Sequence, residues 1–481
     1  MLLVRARLAA AFAPLIAGCN SDVTTDAPHD RASPPAEPAP SREPARDGVA
    51  PRWTKEGASF GAGPYVPFDV NHILSTGQSN SVGNDALPPL TTTQPYANVM
   101  FDVGVITASS CEANGCTKYD VPTRFVPLVE GDTYFAAVET MSSSLANQIT
   151  KLARLHGKSH DALVSVHGRS GYSYGCLRKG GCDWWQGKSY VKPFDDGMMQ
   201  VRDAMRLAKA AGKSYVVRAV TAIHGEHDHA SNAKGSSYFP MRGTDGVSTL
   251  ADYGDALLEW QRDYESGVKA LTGQSIPIPL FVSQYSHWTD APTTTIAYQQ
   301  MSAHRRSKGA VVVVGPTYAF EYSSECLHFR AHAERQLGEM FARAYTATII
   351  EGRRWEPLRP RAISIAGNVI TARFLVPKPP LVLDVVKVTN PGDFGFEYTD
   401  ASDSPPAIAR VALDGPDAVK ITLTSAPAGP EKRLRYAFTQ RGGCVAGRPP
   451  ARGNLRDSDD TPSQNGYALP NWSVHFDEPI D

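Results

Sequence analysis

The chain has 481 residues, with 48 Lys and Arg against 49 Asp and Glu, for a formal net charge of −1 at pH 7. That balance argues against nucleic acid or an anionic surface as a partner, and the length is ample for more than one domain. No Gly-rich phosphate loop, heptad array or internal repeat is present, so function must be sought in local motifs.

Arg5 and Arg7 precede a short apolar stretch, Leu8 to Ala17, which is too short to span a bilayer and suits a cleaved signal. Ile16-Ala17-Gly18-Cys19 resembles a bacterial lipobox. It predicts a lipoprotein signal peptide over 1–18 and a lipid on Cys19, with a plain secretory signal as the alternative. Residues 19–66 are rich in Pro, Ala, Ser, Asp and Arg and read as a disordered tether. The expected location is the bacterial cell envelope, lipid-anchored to a membrane on the periplasmic or outer side. Of seven cysteines, setting Cys19 aside leaves an even number, as suits an oxidising compartment. Cys111 with Cys116 and Cys176 with Cys182 are close enough for local loop clips, leaving Cys326 and Cys444 as a long-range pair. A metal cluster is the alternative, with irregular spacing against it.

Apolar runs at Ile73 to Thr76, Leu163 to His167, Tyr215 to Thr221, Leu280 to Ser283 and Val311 to Gly315 are separated by segments long enough for helices. The alternation predicts a parallel sheet within an α/β domain over 67–350. Met198, Val201, Met205 and Ala208 recur every three or four residues, as do Leu257, Trp260, Tyr264, Val268 and Leu271. Such stripes are core-facing helix surfaces rather than cofactor ligands. Helices on both sheet faces give a three-layer α/β/α domain whose site lies at the carboxyl ends of the strands. Beyond Glu351 the runs become short and alternating, as at Ala362 to Ile365, Val369 to Val376, Leu383 to Val388 and Val419 to Leu423. They predict a C-terminal antiparallel β-sandwich over 351–481, an accessory domain for packing or carbohydrate binding.

Ser79 lies in Gly77-Gln78-Ser79-Asn80-Ser81-Val82-Gly83-Asn84, directly after the first strand. A strand-to-helix turn exposes both a serine Oγ and nearby backbone N–H groups, the two things a nucleophilic serine needs around it. Taken alone, the tetrapeptide reads equally well as a polar turn. Two other strands run into His167-Gly168-Arg169-Ser170-Gly171 and His224-Gly225-Glu226-His227-Asp228, and Glu325-Cys326-Leu327-His328 precedes a helical stretch from Ala331 to Tyr345. Between the second and third strands lie Tyr172, Tyr174, Trp184 and Trp185, whose faces either stack on sugars or pack inside.

In combination these segments resemble the blocks of the SGNH (GDSL-like) hydrolases, in the Gly-Gln-Ser-Asn form of the sialate O-acetylesterase-like carbohydrate esterases, over roughly Asn71 to Tyr345. The resemblance implies a flavodoxin-like SGNH domain in which Ser79 is the nucleophile and His328 the base. Glu325 stands where the family has aspartate and would orient the imidazole. The implied oxyanion donors are the Ser79 and Gly168 N–H groups, with His227 where the wider superfamily has asparagine. Gln78, Asn80, Glu226 and Asp228 would bind substrate, although Glu226 and Asp228 can instead brace their loop, and Trp184 and Trp185 would shape an acceptor subsite. The implied reaction removes acetyl groups from an acetylated carbohydrate through an acyl-enzyme, without a cofactor or metal. Two rivals remain. His224-Gly225-Glu226-His227-Asp228-His229 resembles the His-x-His-x-Asp-His metal loop of metallo-β-lactamase-like hydrolases, with Glu226 replacing one histidine. A glycan-binding lipoprotein on a degenerate hydrolase fold is the other.

Overall fold

Strands buried on both faces read as continuous apolar runs, and the runs around Ile73, Val164, Val282 and Val313 are of this kind. In the computed structural model, which describes residues 64–112, 115–133, 136–181, 191–233, 238–288, 291–441, 443–444 and 447–481, each becomes a strand with every residue buried. The signal peptide, Cys19, nearly all of the tether, Cys182, Trp184 and Trp185 lie outside the described residues.

The strands of the central sheet are β1 (Val70–Gly77), β2 (Val99–Phe101), β3 (Phe125–Pro127), β4 (Ala162–Val166), β5 (Tyr215–Ile223), β6 (Leu280–Gln284) and β7 (Val311–Pro316). Their order is β7-β6-β5-β1-β4-β2-β3, and all pair in parallel except β3, which runs antiparallel to β2 at the edge. The chain leaves β1 toward β4 on one side and later returns to β5 on the other. In parallel sheets such a switch opens a crevice at the carboxyl ends of the strands.

Alternation along β1 sends neighbouring side chains to different cores. Ile73 joins the cluster containing Leu145 and Ile149 of α1 (Ser142–Leu155) and Leu337 and Phe341 of α7 (Ala331–Tyr345). Leu74 joins Leu177 of α2 (Tyr174–Leu177), Val201 of α3 (Pro193–Ala210), Leu257, Trp260 and Tyr264 of α5 (Tyr253–Thr272), and Met301 of α6 (Ile296–Arg306). The methionine and tryptophan stripes noted in the sequence therefore lie in the core. Among the described residues no helix is long and apolar enough to cross a membrane.

After α7 the chain forms antiparallel sheets. One is four-stranded, from β8 (Arg359–Ala366), β9 (Val369–Leu375), β11 (Ile408–Leu413) and β12 (Ala418–Leu423), in the order β8-β9-β12-β11. Another is three-stranded, from β10 (Phe396–Thr399), β13 (Arg433–Tyr436) and β14 (Phe476–Pro479). Ile370, Phe374 and Ile421 of the first share a cluster with Phe396, Leu434 and Tyr436 of the second. The described residues belong to one compact unit. Across it, Tyr318 donates to the Ser473 carbonyl at 2.7 Å, Gln284 Nε2 donates to the His475 carbonyl at 3.1 Å, and the Trp288 and His475 rings lie 4.8 Å apart.

The end of β1 is the tightest point of the sheet. Gly77 has φ of 130°, and a Cβ there would stand 2.1 Å from the Ile223 carbonyl oxygen. Gly77→Ala is therefore expected to lower stability by more than about 2 kcal/mol, because neither the backbone angle nor the strand partner can yield. Urea unfolding of the variant, followed by fluorescence, checks this.

Candidate active site

The chain turns out of β1 at Gln78 and enters a single 3₁₀ turn, Ser79–Val82, which stops at Gly83 in the left-handed region. Ser79 is thus held at the carboxyl end of the central strand, 5% exposed. The loop after β4 is seated against this turn: Arg169 N–H donates to the Gly77 carbonyl at 2.9 Å, and a Cβ on Gly168 would fall 2.1 Å from Ser81 Oγ. Only glycine can occupy position 168 at this approach. Among the described residues, neither the Ser79 nor the Gly168 N–H makes a hydrogen bond. Arg169 Nη1 grips the Gly168 carbonyl at 2.8 Å while Nη2 pairs with buried Asp196 at 2.5 Å, so this peptide is held rigidly.

Asn80, fully buried, brings the His328 loop to the serine. Its Nδ2 donates to the Leu327 carbonyl at 3.2 Å and to Glu226 Oε1 at 2.9 Å, and its Oδ1 accepts from Phe329 N–H at 3.1 Å. Both neighbours of His328 are therefore tied to the residue next to Ser79. Gln78 Oε1 accepts from His227 N–H at 3.1 Å, which draws in the start of α4 (Glu226–Ala233). Glu226 Oε1 also lies 3.3 Å from His287 Nε2, in a setting where both residues are buried. Burial opposes the Glu226 charge, but the contact with His287 and the charges of His287 and His224 outweigh it and hold the carboxyl at about 2.

The carboxylate that meets His328 is Asp85. Its Oδ2 lies 3.0 Å from His328 Nδ1, and its backbone is left-handed at φ 63°, a conformation aspartate tolerates. The Asp85 loop is pinned by Ala86 N–H to the Gly83 carbonyl at 3.1 Å and by Glu139 N–H to the Ala86 carbonyl at 2.7 Å. Glu325 is exposed and its Oε1 accepts from Ser324 Oγ at 3.0 Å. A turn separates it from the histidine: Cys326 has φ of 54°, and Ser323 N–H donates to the His328 carbonyl at 2.7 Å. The hydrogen bond to Ser323, its own backbone N–H and Ser324 lower the Glu325 pKa, and the His328 charge contributes least.

No family model matches the chain, and no curated protein matches it. Solved structures do. A carbohydrate acetylesterase from Xanthomonas citri is similar with a TM-score of 0.50 and 13% identity, over 85% of this chain and 80% of that one. A protein from Arabidopsis thaliana gives 0.38 and 15% over 59% and 100%, and the aryl esterase of M. smegmatis gives 0.29 and 11% over 58% and 99%. The chain shares its fold with that Xanthomonas acetylesterase.

On this fold the remaining residues singled out in the sequence divide clearly. The His227 ring contacts the Tyr238 hydroxyl through Nε2 at 3.0 Å and stacks on that ring. Asp228 is a buried brace whose Oδ2 accepts from Tyr174 N–H at 3.0 Å. His224 lies between the Tyr253 hydroxyl at 2.6 Å and the Tyr172 carbonyl at 3.0 Å, and His229 Nδ1 faces Thr294 Oγ1 at 2.9 Å. Within the possible metal loop His224 Nε2 comes within 3.6 Å of Asp228 Oδ2, but among the described residues no three His, Cys, Asp or Glu side chains are grouped to hold a metal. Tyr172 and Tyr174 are buried packing groups. Disulfides join Cys111 to Cys116 and Cys326 to Cys444, and Cys176 is disulfide-bonded. The Cys326–Cys444 bridge anchors the turn two residues before His328. Sequence reasoning missed Asp85, six positions beyond Ser79 in the same loop, and His287, which no motif marks.

The depressed Glu226 carboxyl links stability to pH. Its folded pKa lies below its ordinary value of 4.5, so the stabilisation is present above pH 4.5 and is lost as pH falls toward about 2. Glu226→Gln is expected to cost on the order of 2 kcal/mol at pH 7 and to unfold with a shallower pH dependence between about pH 5 and 3. Chemical unfolding across that range measures both.

Proposed function

We propose that this chain is a serine esterase that removes acetyl groups from carbohydrate. The observation that carries the reading is that Asn80, next to Ser79, holds the backbone on both sides of His328 through its side chain, while Asp85 meets Nδ1 of that imidazole. The acetyl and carbohydrate parts are supported by the fold shared with the Xanthomonas acetylesterase. The finer assignment is the sialate O-acetylesterase-like branch of the SGNH hydrolases, on a three-layer α/β/α domain over 67–350 with a β-sandwich accessory domain over 351–481. The signal and Cys19 lipid would place it in the bacterial envelope, facing glycan.

In this mechanism His328 Nε2 takes the Ser79 proton as Oγ attacks the ester carbonyl, while Asp85 keeps the other proton on Nδ1 and stabilises the imidazolium. The tetrahedral oxyanion is received by the Ser79 and Gly168 N–H groups. His328 then protonates the departing sugar hydroxyl, and the same histidine activates the water that releases acetate. Asp85 replaces Glu325 in the role implied by the family pattern, because the 323–328 turn directs Glu325 to solvent.

Incubation with a fluorophosphonate, followed by peptide mass spectrometry, is expected to label Ser79; an unlabelled folded protein would sink the serine mechanism. Ser79→Ala should abolish acetate release from acetylated polysaccharide, by at least about a thousandfold. Asp85→Asn should lower kcat by about a hundredfold or more, whereas Glu325→Gln should stay within about threefold. The reverse ranking in steady-state assays would return the acid role to Glu325.

A further inference from the structure

The described residues expose few large apolar side chains, and Tyr238 is the one aromatic among them, at 38% exposure. Its ring is not loose. The hydroxyl contacts His227 Nε2 at 3.0 Å and the two rings stack at an interplanar angle of 25°. The His227 backbone is in turn bound to Gln78 Oε1 at 3.1 Å, one residue from Ser79. One side of Tyr238 is thus backed by an imidazole fixed to the nucleophile turn. At the base loop, Leu327 is 42% exposed although its carbonyl is held by Asn80. Asp85 is half exposed, so the acid and base stand near the surface rather than in a deep slot.

We infer that Tyr238, backed by His227, is a stacking platform for a pyranose ring of the glycan substrate, and that it sets selectivity for sugar esters over small aryl esters. A pyranose presents an apolar face of C–H groups, and a flat, preoriented aromatic receives it at little conformational cost. A small acetate ester needs only the serine, base and oxyanion donors. The inference rests on the esterase reading but concerns a different group and a different quantity: Tyr238 touches the sugar, and its effect is read in KM.

The test compares wild type, Tyr238→Ala, Tyr238→Phe and Tyr238→Trp on chemically acetylated xylo-oligosaccharides and on 4-nitrophenyl acetate. For Tyr238→Ala the ratio of kcat/KM for the oligosaccharide to that for the aryl ester should fall about tenfold, through KM for the sugar substrate. Tyr238→Trp should recover most of that ratio and Tyr238→Phe should keep it within about threefold. An unchanged ratio in Tyr238→Ala, or a loss in kcat alone, overturns the platform. If wild type hydrolyses neither ester, the esterase reading fails. The platform is then judged by calorimetry with the deacetylated xylo-oligosaccharide, whose binding must weaken about tenfold in Tyr238→Ala for it to stand and is overturned if unchanged.

Discussion

The carboxamide of Asn80 joins three segments that are distant in the chain: the Ser79 turn, the start of α4 through Glu226, and the loop that carries His328. Every hydrogen bond it makes is inside the protein, where leaving one partner unsatisfied costs about 1–3 kcal/mol. The loop that carries His328 has little regular structure to hold it. Here the backbone on both sides of that histidine is fixed by one side chain from the adjoining turn, so the His328 loop and the Ser79 turn share a frame.

Beneath that frame is a charge the fold has to tolerate. Glu226 is buried, and its ionised form persists because the contact with His287 and the charges of His287 and His224 outweigh burial, while Asn80 donates to the oxygen that His287 faces. Removing one member of such a pair is more damaging than never having built it, since the other is left uncompensated in a low-dielectric setting. The pair lies beside Asn80, whose Nδ2 donates to Glu226 Oε1. It sets the position of the amide that does the joining, and the Cys326–Cys444 bridge restrains the same loop from the C-terminal side.

Much of this was legible in the sequence. Five strands of the central sheet stood out because buried parallel strands are continuous apolar runs, and the helix stripes at Val201 and Trp260 recur with helical period. β2 and β3 were not, since three residues carry no periodicity. The Cys326–Cys444 pair emerged by counting cysteines. Asp85 was hidden for a physical reason: its contact with His328 spans 243 positions, and the sequence neighbour Glu325 is carried off by a turn that local spacing does not reveal.

Residue types and their order were enough to mark an α/β chain with a serine after its first strand and a histidine before its last helix, because strand burial and helical period are local properties. Direction was not. Which carboxylate meets the imidazole, which loop glycine lies against the serine turn, and which aromatic faces solvent all depend on how separate segments pack. A left-handed residue at Asp85 or Cys326 turns a side chain toward the site or away from it regardless of its spacing in the chain. Those choices were made only when β4, β5 and the His328 loop closed around the end of β1.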